Sequence, residues 1–252
     1  MAGDWSRRGG RRRQVSRRRA FIGCAEVGKK EAVAKSYTMA YGDDGHSLRE
    51  VLATFKACLD ENSEILVDPY LAGWKGLVGF LNSMGTIFGF VSKDAVAKIQ
   101  IMEDFRSGPN KESYRTLQSM VSYEMANNLV DLKKYSECPV SGCRTILRLH
   151  RALHWLQLFL EAMRTSSPDC KTSVLCTDSY NASLANYHPW IIRKATIIAF
   201  HTLPNREAFF ENMKVGSNEE GVEMLGEALP HIRKIYDITQ ELYSRHKLLD
   251  LP

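Results

Sequence analysis

The 252 residues are 44% hydrophobic and 25% charged, which suits one large or two small globular domains and excludes a fibrous or low-complexity chain. The net charge of +5 is spread unevenly: residues 1–38 hold eight Arg and three Lys against Asp4, Glu26 and Glu31, so the rest of the chain is net acidic. The overall basicity is therefore no argument for nucleic-acid binding by the folded part.

Eight arginines crowd between Arg7 and Arg19 with Gly and Ser among them, a block that repels itself and is expected to be disordered. Residues 1–38 can be read as a nuclear-targeting or nucleic-acid-binding arm, as an organelle presequence, or as an addition upstream of a start at Met39. The last reading is favoured and places the folded domain at 39–252.

Beyond Met39 the apolar residues follow the helical period. Ser47 is an N-cap candidate for Leu48, Val51, Leu52, Phe55 and Leu59. Asp68-Pro69 reads as an N-cap followed by proline at the first helical position. Gly76 to Ser92 is seventeen residues without a charge, but a membrane span takes about twenty predominantly apolar residues. With four glycines and Asn82, Ser83 and Thr86 it reads as a buried helix of a soluble protein, broken near Gly85 and Gly89. Ser92 is expected to cap Lys93–Phe105. Lys111 to about Tyr135 reads as one helix and 137–142 as a turn. Helices are expected at Cys143–Arg164, Asp169–Asn186, Trp190–His201 and Arg206–Met213. The last opens at Ser217 and runs to about Lys247, with a kink at Pro230. No strand alternation, phosphate loop or repeat is visible, so the prediction is one all-α domain of about eight helices.

Six cysteines form no disulfide or zinc framework. No secretory segment follows the leader, so the thiols are expected to be free in a reducing compartment. No metal or cofactor is expected.

The segment Cys143–Arg164 is apolar on nearly every face, as a central helix is, yet Arg144, Arg148 and Arg151 lie along one stripe of it. Buried cations need anionic partners. Internal carboxylates would serve; the sharper reading is a pocket for a phosphate, whose oxygens the guanidinium fork matches. Asp94 and Lys98 form a second i,i+4 pair among apolar neighbours. His188 stands at a helix junction beside Pro189. No nucleophile–base pair favours an enzyme.

Lys93-Asp94-Ala95-Val96-Ala97-Lys98, Gly142 through Trp155, and Asn186-Tyr187-His188-Pro189-Trp190 resemble the glycolipid transfer protein family, and the resemblance runs from Met39 to Pro252. It implies a two-layer all-α sandwich that parts to admit lipid chains. In the glycolipid carriers of that family an Asn stands four residues after the site Asp, and a Trp forms a platform for the sugar. Here those positions are Lys98 and Arg148, which suit a phosphate. The resemblance thus implies a non-enzymatic carrier of ceramide-1-phosphate and related phosphoceramides. Lys98, Arg144 and Arg148 would face the phosphate, Asp94 would accept from the sphingoid amide and hydroxyl, and His188 would donate to the acyl carbonyl. It further implies a monomer in the cytosol, in peripheral contact with Golgi, trans-Golgi, plasma, endosomal and nuclear membranes. Trp190, Ile191, Ile192, Arg193 and Lys194 are candidates for docking on anionic membrane surfaces; the competing role for Trp190 is core. No nucleic-acid binding is expected of the folded domain. The alternatives are a lipid phosphatase using Asp94 and His188, and a nucleic-acid-binding protein acting through residues 1–38.

Overall fold

The computed structural model describes residues 48–83, 88–130 and 140–252. The leader, the Ser47 cap, the Gly85 break and the first half of the 137–142 turn lie outside them. Nine α-helices occur among the described residues: α1 Leu48–Lys56, α2 Val67–Ser83, α3 Gly89–Ser107, α4 Leu117–Ala126, α5 Gly142–Thr165, α6 Thr172–Ala182, α7 Trp190–Phe200, α8 Arg206–Asn212 and α9 Asn218–Arg245. Short 3₁₀ turns at Lys111–Tyr114 and Leu184–Tyr187 complete the order.

The 24-residue α5 is the hub. It packs against α3, α4, α6 and α9, while α1 bridges α2 and α9 and α2 lies along α3. The ring α1–α2–α3–α5–α9 encloses one apolar core. Close approach of α2 to α1 depends on glycine: a Cβ at Gly73 would stand 2.9 Å from the Phe55 ring, and one at Gly76 2.8 Å from the Val51 methyls.

Several expected boundaries move, each for a visible reason. Asp68 is not the N-cap of α2, which already includes Val67. Its carboxylate instead accepts two bonds from Arg106, Nε to Oδ1 and Nη2 to Oδ2, both 2.8 Å. Ser92 does not cap a helix either. α3 begins at Gly89, and the Ser92 hydroxyl donates to Asn82 Oδ1 at 2.6 Å, tying α3 to α2. The helix expected from Lys111 is split because Thr116 is extended, at φ −121° and ψ 161°, and caps α4 through a capping box with Ser119. Ser217 opens α9 as read, its hydroxyl accepting from Glu220 N while Glu220 accepts from Ser217 N. α9 continues through Pro230.

Candidate functional site

α5 starts at a built N-terminus. Ser141 accepts from the Arg144 N–H, and the fully buried Glu124 of α4 accepts from the N–H groups of Gly142 at 2.6 Å and Cys143 at 3.0 Å. Tyr114 and Ser141 hydroxyls donate to the same carboxylate. This anion at a helix start fixes the element that carries the three arginines. Burial and the Glu124 charge together push the Cys143 thiol far up.

One turn apart on α3, Lys98 is buried and Asp94 exposed. The ammonium donates to Asp94 Oδ1 at 2.5 Å, with side-chain exposures of 9% and 71%. Lys98 is thus a buried cation whose partner opens to the outside.

His188 is set by the chain itself. The residue before a proline is held extended, and His188 has φ −110° and ψ 140° ahead of Pro189, the N-cap of α7. Its Nδ1 lies 2.7 Å from the hydroxyl of Tyr180 on α6. Burial pulls the imidazole pKa down, opposed by the Asp94 charge, so the ring is neutral at pH 7.

These side chains converge on a cavity of about 460 Å³ between α3, α5, α6 and α7. Asp94, Lys98, Arg148, Arg151 and His188 supply its charged and polar wall, and Trp155, Leu156, Leu81 and Val91 part of its apolar one. That size is typical of small-ligand sites, which pair an apolar lining with a few placed polar groups. Arg144 is buried one turn toward the N-terminus of α5 and does not line the cavity. Parts of the Gly76–Ser92 stretch and of the central helix do line it, through Leu81, Val91 and Trp155.

Arg151, the third arginine of the stripe, also lines the cavity. Its Nη2 donates to the carbonyls of Leu249 at 2.7 Å and Leu251 at 3.2 Å, and its guanidinium lies 3.9 Å from the centre of the Tyr187 ring. Backbone carbonyls and an aromatic face thus surround it, where internal carboxylates were the expected partners. The i,i+3 spacing from Arg148 was the available signal; the carbonyl partners, 98 and 100 residues away, were not foreseeable. Tyr180 was missed, and Tyr187 entered only as a member of the family motif, with no role.

The five docking candidates are all exposed: Trp190 is 64%, Ile191 70% and Ile192 41% accessible, with Arg193 and Lys194 beside them. Trp190 as core is thereby excluded. Ile192 also lines the cavity, so the exposed face and the site adjoin. No described helix is long and apolar enough to cross a membrane, and no group of three or more His, Cys, Asp or Glu among the described residues is placed to hold a metal.

Residues 65–215 match the family model described as glycolipid transfer protein. The ceramide-1-phosphate transfer protein of Homo sapiens is 62% identical over 210 residues, 83% of this chain and 98% of that protein. That of Bos taurus is 64% identical over 206 residues, 82% and 96% of the two chains. The crystal structure of the human protein in complex with 12:0 ceramide-1-phosphate superposes with a TM-score of 0.80 at 62% identity, covering 82% of this chain and 100% of that one. With its nine described helices and this extent of similarity, the chain belongs to the glycolipid transfer protein family.

Proposed function

We propose that this protein is a non-enzymatic carrier that takes ceramide-1-phosphate from one membrane and delivers it to another. The observation that carries the reading is the cavity wall. Lys98, Arg148 and Arg151 face the same space as one carboxylate, Asp94, and the space continues into an apolar interior. Three cations against one carboxylate suit a phosphomonoester of about −1.5 to −2 charge. Arg144 adds positive charge from the adjoining turn. Asp94 accepts from the sphingoid amide N–H and hydroxyl, which a glycerolipid lacks, and His188 donates to the amide carbonyl. The chains go into the apolar part, where each methylene leaving water gains about 0.8 kcal/mol. The names of relatives sharing 62–64% identity support this choice of lipid.

Docking is proposed through Trp190, Ile191, Ile192, Arg193 and Lys194, an indole and two aliphatics for the interface and two cations for anionic head groups. The carrier works as a monomer in the cytosol, in transient contact with membranes. Residues 1–38 are proposed to be a leader that transfer does not need.

Vesicle-to-vesicle transfer tests the reading. The full chain and a chain lacking residues 1–38 should move ceramide-1-phosphate without releasing inorganic phosphate. Arg148→Leu and Lys98→Ala should each weaken binding roughly ten- to a hundredfold, since a hydrogen bond to a charged group is worth about 1.5–3 kcal/mol. Asp94→Val should lose ceramide-1-phosphate without gaining phosphatidic acid. Wild-type transfer by the two cation variants would overturn the assignment of the cavity.

A further inference from the structure

We propose that Tyr180 is a positioning residue for lipid recognition: its hydroxyl donates to Nδ1 of His188, holds the ring in place and leaves Nε2–H as the donor to the amide carbonyl of the bound lipid. The inference rests on the carrier reading above and adds a residue to it.

The geometry is specific. Tyr180 is 1% exposed, and its ring is held edge-on by Trp155 at 6.4 Å and Phe200 at 5.6 Å between centroids. A phenylalanine would fill the same space, so packing does not explain the hydroxyl. That hydroxyl is 2.7 Å from His188 Nδ1, and both residues line the cavity.

The roles of the two atoms follow from proton counting. A neutral imidazole carries one N–H and one bare nitrogen. A lipid carbonyl can only accept, so the nitrogen facing it must carry the proton. The other nitrogen must then be an acceptor, and the neighbour able to donate to Nδ1 is the Tyr180 phenol. Burial acts on both partners in the required sense, keeping the phenol protonated and the imidazole neutral. The opposite tautomer would point a lone pair at the carbonyl. Backbone placement leaves the side-chain torsions of His188 free, so the hydroxyl supplies what the His188-Pro189 constraint does not.

A double-mutant cycle on the full chain distinguishes positioning from packing. Binding of a short-acyl ceramide-1-phosphate is measured for wild type, Tyr180→Phe, His188→Ala and the double variant. Tyr180→Phe should weaken binding about five- to tenfold, the worth of one ordinary hydrogen bond. It should have no further effect once His188 is Ala. An equal loss in both backgrounds would overturn the proposal, because Tyr180 would then act without His188. Nitrogen-15 NMR of His188 in the ligand-free protein supplies a readout independent of the lipid and of the variants' folding. A proton on Nε2 and an accepting Nδ1 are expected, and a proton on Nδ1 would refute the assignment. Should the wild type fail to bind ceramide-1-phosphate, the carrier reading falls, while the NMR arm still decides the Tyr180–His188 geometry.

Discussion

Replacing Glu124 tests how α5 is held. This carboxylate is 0% exposed and accepts from Gly142 N at 2.6 Å, Ser141 Oγ at 2.7 Å, Cys143 N at 3.0 Å and Tyr114 Oη at 3.1 Å. Glu124→Ala strands four donors in the interior, at about 1 kcal/mol or more each. It also removes an anion from a helix N-terminus, worth about 0.5–1 kcal/mol. The sum is about 5 kcal/mol, against a total stability of about 5–15 kcal/mol for a domain. Glu124→Gln keeps one acceptor oxygen but turns an amide N–H₂ toward the donors, and should lose about half as much. Urea unfolding followed by circular dichroism gives both values. Because Arg144 and Arg148 sit in the first two turns of α5, ceramide-1-phosphate binding should fall in step with stability. Glu124→Ala within about 1 kcal/mol of wild type would refute the idea that this carboxylate anchors the central helix.

Acid should destabilise the fold well above the carboxylate range. His150 is buried, its Nε2 2.8 Å from Gln240 Oε1, and burial lowers its pKa to about 4. The unfolded chain therefore takes up a proton near pH 6.5 that the folded chain refuses. Stability is complete above that pH and should drop by about 2 kcal/mol between pH 6.5 and 5, at about 1.36 kcal/mol per unit. His154 and His188 shift in the same direction. A urea midpoint that stays level over that range would contradict the buried neutral histidine, and His150→Gln should flatten the profile. For docking, Trp190→Ala with Arg193→Glu and Lys194→Glu should reduce partitioning onto anionic vesicles and slow transfer, with preference for ceramide-1-phosphate retained. Unchanged partitioning by the folded triple variant would place docking on another face.

The helical content was legible because it depends on local periodicity and caps. Ser217 with Glu220 and the apolar surround of α5 could both be read from neighbours in the chain. The cluster of Asp94, Lys98, Arg148 and His188 was legible through family motifs, since no spacing rule brings residue 94 to residue 188. What escaped was long-range partner choice. Asp68 and Ser92 have the chemistry of caps, but Arg106 and Asn82 compete for them, and the competition is settled by packing. Thr116 was hidden because its capping box uses Ser119 where Glu or Gln is the usual sign. Nothing in the local sequence marks Glu124 as the acceptor for residues 141–143, because that contact spans 17 to 19 residues.

The hold on Arg151 has a thermal consequence. Its guanidinium is steered by the carbonyls of Leu249 and Leu251, in a segment beyond the last turn of α9. That segment has no helix of its own, and its seat depends on two buried leucines, Leu248 and Leu251, and a few hydrogen bonds. Such stretches open locally at lower free energy than core helices do. On warming, the segment should lift before α5 unwinds, and the arginine should then lose its aim. The charge pattern of the cavity should therefore decay before the helices melt, so that ligand binding falls at a lower temperature than ellipticity does.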